Sequence, residues 1–104
     1  MLITKYDYPN KTEYRNEQGE LHREDGPAVI YASGSQWYYQ NGKKHREDGP
    51  AIIRPDGMQV YYQNGKLYHK NGPIIIWPDG SESYELNGWI VSKEKYENQN
   101  SIQN

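Results

Sequence analysis

Three features of the sequence predict an all-β meander of stacked hairpins. Its turn residues recur every 23 positions, short β-branched and aromatic runs lie between them, and Gly or Pro every few residues excludes helix. Gly19, Gly42, Gly65 and Gly88 keep the period, as do Gly34, Gly57 and Gly80, Gly26, Gly49 and Gly72, and Pro27, Pro50 and Pro73. HREDGPA stands at residues 22–28 and again at 45–51, and a weakened copy, YHKNGPI, at 68–74. Tyr38, Tyr61 and Tyr84 coincide, and so do Ile30, Ile53 and Ile76. The expected architecture is one elongated antiparallel domain of about four repeats over residues 1–104. Residues 1–20 are a degenerate first unit, with Tyr6 where Val29 falls and Arg15 where Tyr38 falls. Regular repeats follow over 21–91, then a capping helix over 92–97 and a polar tail over 98–104.

The composition sets bounds on this architecture. Of 104 residues only 34% are hydrophobic and none is Phe, whereas 11 are Tyr and three are Trp. Tyr couples apolar area to a hydroxyl that needs water or a partner, which suits a thin, half-exposed sheet better than a deep core. One such unit cannot offset its own ordering entropy, so neighbours must stack. A net charge of −2 with interspersed signs argues against tracking nucleic-acid phosphates. The chain has no Cys, hence no disulfide frame or thiolate metal site, and its first residues lack the pattern of a signal peptide. The expected setting is the cytoplasm, with no membrane span.

In chain order, Ala32-Ser33-Gly34, Pro55-Asp56-Gly57 and Pro78-Asp79-Gly80 read as hairpin loops. Asn41-Gly42, Asn64-Gly65 and Asn87-Gly88 read as type I′ turns, which need two positive φ values. The strands between them are Ala28 to Tyr31, Gln36 to Gln40, Ala51 to Arg54, Met58 to Gln63, Ile74 to Trp77 and Ser81 to Leu86. Across Asn41-Gly42, Gln40 should face Lys43 and Tyr38 should face His45, and Tyr61 should likewise meet Tyr68. Alternation then makes Ala28, Ile30, Ala51, Ile53, Ile74 and Ile76 the buried stripe. Tyr8, Tyr14, Tyr31, Trp37, Tyr39, Tyr62 and Trp77, with Arg54 and Glu85, fall on the other side. Those aromatics either just cover a thin sheet or anchor a partner, and the candidate binding set is Tyr31, Trp37, Tyr39, Arg54, Tyr62 and Trp77. Beyond Gly88, Ser92 is suited to cap a helix starting at Lys93, with Val91 able to staple to Tyr96 and the helix closing the last sheet edge.

His22-Arg23-Glu24-Asp25 and its copy at 45–48 hold the residue types of an acid–base or metal site. Their recurrence, and their decay to Tyr68-His69-Lys70-Asn71, point instead to a structural ladder. In it Asp25 and Asp48 order the turn, Arg and Glu pair between units, and His bonds the backbone. No catalytic residue, metal or cofactor is expected.

NGKKHREDGPAIIRPDG resembles the MORN-type repeat, in which an aromatic strand, an NGKxH turn, a Gly-containing connector and a second strand ending in a DG turn follow one another. The likeness covers about residues 14–91. It departs from the plain form at Arg46-Glu47-Asp48 and is more similar to the HREDGPA-type variant of uncharacterised bacteriophage and large-virus proteins. The resemblance implies elongated antiparallel sheets that act as scaffolds or docking surfaces, sometimes at membranes, without shared catalytic residues. It also implies a non-enzymatic phage-encoded inhibitor that occludes a host defence protein, such as a CRISPR effector, in the host cytosol. Lipid or glycan binding through the aromatic face and a structural role in the virion are the alternatives.

Overall fold

The computed structural model describes residues 2–102; Met1 of the expected first unit and residues 103–104 of the expected tail lie outside them. The chain forms β1 (Thr4–Tyr8), β2 (Lys11–Arg15), β3 (Val29–Tyr31), β4 (Gln36–Trp37), β5 (Tyr39–Gln40), β6 (Lys43–Lys44) and β7 (Ile52–Ile53), then β8 (Gln59–Val60), β9 (Tyr62–Gln63), β10 (Lys66–Leu67), β11 (Ile75–Ile76), β12 (Glu82–Leu86), β13 (Trp89–Ser92) and α1 (Lys93–Ile102). Nine strands make one antiparallel sheet in the order β1-β2-β3-β4-β7-β8-β11-β12-β13, and β5-β6 and β9-β10 pair as separate hairpins. The molecule is an elongated all-β meander, 50 × 27 × 18 Å, with a short C-terminal helix.

Both turn families have the expected chemistry. Asn41, Asn64 and Asn87 have φ of 49°, 51° and 52°, and the glycines after them are also positive, as type I′ turns require. At the other loops Gly34, Gly57 and Gly80 are left-handed and their N–H groups return to Tyr31, Arg54 and Trp77 C=O, closing a type I turn.

The long strands expected over Gln36 to Gln40 and Met58 to Gln63 are interrupted. Tyr38 N–H donates to Ala51 C=O in the main sheet (2.7 Å) while Tyr38 C=O accepts from His45 N–H in the side hairpin (3.1 Å). Tyr61 does the same between Ile74 and Tyr68. Each of these tyrosines therefore belongs to both sheets, and the hairpin beyond it leaves the main plane. Gln40 does face Lys43 across the turn. Tyr14 makes the same two bonds, to Ala28 C=O and from His22 N–H, so Tyr14 rather than Arg15 is the first-unit equivalent of Tyr38. A hairpin one residue shorter (Tyr6↔Glu13 against Val29↔Trp37) and a following turn one residue longer cancel, which is why flanking positions still keep the period.

The buried stripe also differs from simple alternation. Ala28, Ala51 and Ile74 are buried, but Val29, Ile52 and Ile75 are buried beside them, while Ile30, Ile53 and Ile76 are only half-buried. The chain bends at Ala28, Ala51 and Ile74, as each connector enters its strand, so two successive side chains are enclosed. Register places Glu13, Val29, Trp37, Ile52, Val60, Ile75 and Ser83 in one row across the sheet. The core lies on that side: Ile52, Val60, Ile74 and Ile75, covered by Trp37, Met58, Tyr62 and Leu67.

Ser92 caps the helix, its Oγ accepting the Lys95 N–H (3.2 Å). The helix continues to Ile102, through most of the expected tail, and packs against β12 and the edge strand β13. Residues 89–92 form the edge strand themselves, and Tyr96 stacks on Tyr84 (4.5 Å between centroids) rather than stapling to Val91.

The connector motif is explained residue by residue. The Arg46 guanidinium lies 4.0 Å from the Tyr38 ring centre and donates to Pro50 C=O, as Arg23 does over Tyr14 to Pro27 C=O. His69 replaces arginine in the third unit, stacked on Tyr61 at 3.9 Å and donating from Nδ1 to Pro73 C=O. The glycine three residues on closes the other side. A Cβ on Gly49 would stand 3.0 Å from Arg46 Cζ, and one on Gly72 2.8 Å from His69 Cε1. Gly49 is thus required by close approach, not by positive φ.

Gly42→Ala forces alanine to φ 81° and is expected to destabilise by about 1 kcal/mol, or about 4–8 °C in Tm. Gly49→Ala should destabilise similarly in the wild type but far less in an Arg46→Ala background, where no guanidinium has to move. A thermal double-mutant cycle checks this, and additive effects would refute the sandwich.

Candidate functional site

The aromatic side chains singled out in the sequence are assembled by the strand register on the core side of the sheet. Tyr31 and Val29 share a face of β3, and Tyr31 meets Trp37 edge-on, 6.0 Å between centroids. Arg54 and Trp77 extend the faces of Ile52 and Ile75 toward the hairpin loops, completing a column Tyr31, Arg54, Trp77. Tyr62 covers the core beside Trp37. Tyr14, grouped with these by alternation, belongs instead to the connector column with Tyr38, Tyr61 and Tyr84. Of the candidate binding residues Trp37 and Tyr62 pack on the core; Tyr31, Trp37, Tyr39 and Tyr62 are half-buried, and Arg54 and Trp77 are exposed.

These groups are held in place. Trp77 Nε1–H donates to Ser83 Oγ (2.9 Å), and Arg54 bridges Asp56 (2.6 Å) and Met58 Sδ (3.3 Å). Lys44 Nζ sits over two rings at once, 5.5 Å from Trp37 and 4.8 Å from Tyr62. Burial raises the Tyr39 hydroxyl above its ordinary range, with Tyr31, Tyr62 and Glu13 adding to the effect, so Tyr39 presents a neutral phenol. Glu13, 6% exposed, ends the apolar row between Lys11 and Arg15, each 2.9 Å away. The Lys11 hydrogen bond holds the Glu13 carboxyl below its ordinary value against the opposing effect of burial, and Arg15 reinforces it. Glu13 escaped the sequence reading, and so did the pairing of Lys44 with these particular rings. For Lys44 a signal existed, since it lies directly opposite Tyr39 across the Asn41-Gly42 turn.

The connector side is a ladder of neutral histidines. His22, 1% exposed, accepts the Asn41 N–H at Nδ1 (2.9 Å), which places its ring proton on Nε2 for donation to Glu24 (2.5 Å). His45 repeats this with Asn64 (3.0 Å) and Glu47. Beside these bonds Gly42 N–H donates to Leu21 C=O and Gly65 N–H to Lys44 C=O, so each hairpin seats the next. The expected pairing of Arg with Glu between units is replaced by pairing within a unit. Arg23 and Arg46 bridge Asp25 and Asp48, and the glutamates go to the histidines. Two clefts of about 610 and 500 Å³ lie between successive connectors. In both histidines the two ring nitrogens are already engaged, and no cluster of three or more His, Asp or Glu side chains arranged to hold a metal ion is found among the described residues.

No helix among the described residues is long and apolar enough to cross a membrane. Comparison of the chain with family models, curated proteins and solved structures finds no match.

Because the Glu13 carboxyl titrates lower in the folded chain than in the unfolded one, its contribution is present above the ordinary value of 4.5 and lost as pH falls through the folded value. Melts taken at falling pH should show that loss, and Glu13→Gln should lower stability at neutral pH while flattening the acid limb. An unchanged acid limb in Glu13→Gln would refute this role. His22→Ala, which leaves the Asn41 N–H without its acceptor, is expected to destabilise by about 1–3 kcal/mol in denaturant titrations.

Proposed function

We propose that this chain is a non-catalytic protein-binding module whose aromatic face, with Tyr31, Trp37, Tyr39, Arg54, Tyr62 and Trp77, covers a partner protein. The observation that carries the reading is the fixed state of its exposed anchors: Trp77 is held by Ser83 and Arg54 by Asp56 and Met58. Anchors already in one rotamer lose little freedom on binding, and Trp, Tyr and Arg are the side chains that dominate interface energies. The cations of this face are engaged, Lys11 with Glu13, Arg54 with Asp56 and Lys44 with two rings, which favours a protein over an anionic lipid surface. The finer version, an inhibitor that occludes a host defence protein in the host cytosol, rests on the resemblance of HREDGPA to the repeats of phage and large-virus proteins.

Trp37 and Tyr62 also cover the core, so the exposed anchors are the informative ones to truncate. The tagged chain would be used to capture a partner from bacterial lysate, and the affinity for that partner measured with variants. Arg54→Ala and Trp77→Ala are each expected to weaken binding by about 30-fold with the β-rich circular dichroism intact. Tyr8→Ala should change neither, and His45→Ala should lower the melting temperature while keeping affinity. Normal binding by a folded Arg54→Ala, Trp77→Ala double variant would refute the face, and loss of binding by a stable His45→Ala chain would move the site to the connectors.

A further inference from the structure

The two ends of the nine-stranded sheet are unlike. At one end β1 carries Lys5 and Asp7, 3.9 Å apart, and such charges discourage a second chain from pairing there. At the other end β13 reads Trp-Ile-Val-Ser, without charge or proline. It carries two strongly exposed apolar side chains, Trp89 at 74% and Ile90 at 54%. The helix that follows packs against β12 and β13 on the face that carries Tyr84, and leaves Trp89 and Ile90 exposed.

The backbone of β13 says what kind of group fits there. In the two-residue Asn87-Gly88 hairpin the Leu86–Trp89 pair is hydrogen-bonded, so the alternation of an antiparallel ladder makes Glu85–Ile90 a non-bonded pair. Ile90 N–H and C=O then point away from β12, out of the sheet end. Among the described residues nothing is hydrogen-bonded to that side. A donor and an acceptor on one residue, in the plane of the sheet, are matched by an antiparallel strand that offers the same pair.

We propose that β13 is a self-association edge on which a second copy of this chain pairs antiparallel about a twofold axis at Ile90. Each Ile90 N–H donates to the other copy's Ile90 C=O, and the sheet continues from one copy into the next. Trp89 of each copy then lies opposite Val91 of the other, on the face that carries Tyr84, while the two Ile90 side chains meet on the opposite face. The strand is its own complement: every pair so formed is apolar and no like charges are opposed. Pairing at the sheet end leaves the column Tyr31, Arg54, Trp77 uncovered, so this inference stands apart from the proposed binding face.

Sedimentation velocity of the full chain over a concentration series is expected to show a monomer–dimer equilibrium, with the Ile90 amide protected from hydrogen exchange at high concentration and not at low. Ile90→Lys, which opposes two like charges, should raise the dimer dissociation constant by about tenfold or more. Ile90→Pro removes the outward donor without touching the β12 ladder and should do the same, whereas Trp77→Ala should leave association unchanged. The proposal is overturned by a wild type that stays monomeric throughout, by an Ile90 amide whose exchange ignores concentration, by a dimer indifferent to both Ile90 variants, or by assembly beyond the dimer. The wild-type amide measurement decides the matter even where a variant does not fold.

Discussion

A planar side chain pressed between a tyrosine ring and a glycine is the constraint on which the remaining structure depends. In three successive units it is Arg23 on Tyr14, Arg46 on Tyr38 and His69 on Tyr61, each donating to the carbonyl of the proline four residues on. The stack fixes where the connector crosses the tyrosine, and the tyrosine is the residue at which the chain leaves the main sheet for its side hairpin. A stacked guanidinium is worth only about 0.5–2 kcal/mol in isolation. Its importance is geometric, because the hairpins can seat one another only if each leaves the sheet at the same point. In the fourth unit no connector follows Tyr84, and Tyr96 of the helix takes the stacking position instead.

The turns, the period and the antiparallel order were legible in the sequence, because glycine and Asn-Gly positions report backbone conformation directly. The failures have one physical origin. Strict alternation assumes straight strands through Tyr38 and Tyr61 and no bend before β3, β7 and β11, and the chain breaks both assumptions. A residue hydrogen-bonded to two different sheets looks, in one dimension, like any other strand residue. Hence Ile30, Ile53 and Ile76 were placed inside, whereas Val29, Ile52 and Ile75 are. Tyr31, Trp37, Arg54 and Trp77 do share a side, because they belong to main-sheet segments, but it is the core side and not the side opposite the buried stripe that alternation predicts. Tyr14 does not share it, since compensating length changes around it shift its register by one.

The candidate face and the core are the same side of one thin layer. With Trp37 and Tyr62 serving as cover for Ile52, Val60, Ile74 and Ile75, a ring that contacts a partner on its outer surface holds the sheet together with its inner one. Lys44 illustrates the economy of such a layer: one ammonium lies against rings from two successive units and ties their hairpins together. Under the proposed function, substitutions on this face would act on folding and recognition together, except at Arg54 and Trp77, which stand clear of the core.

The third connector also bears on how long the array is. His22 and His45 each offer an in-plane ring nitrogen to the asparagine of the hairpin that follows, and that bond sets one hairpin upon the next. At the corresponding position Tyr68 has no such nitrogen, and its hydroxyl lies further out along the ring. Past this point the pattern changes: β12 runs unbroken through Tyr84 and the last hairpin stays in the main sheet. The side row thus ends at the unit in which tyrosine stands in place of histidine. Units built on histidine repeat the same link, so each further copy would lengthen the array by about 10 Å.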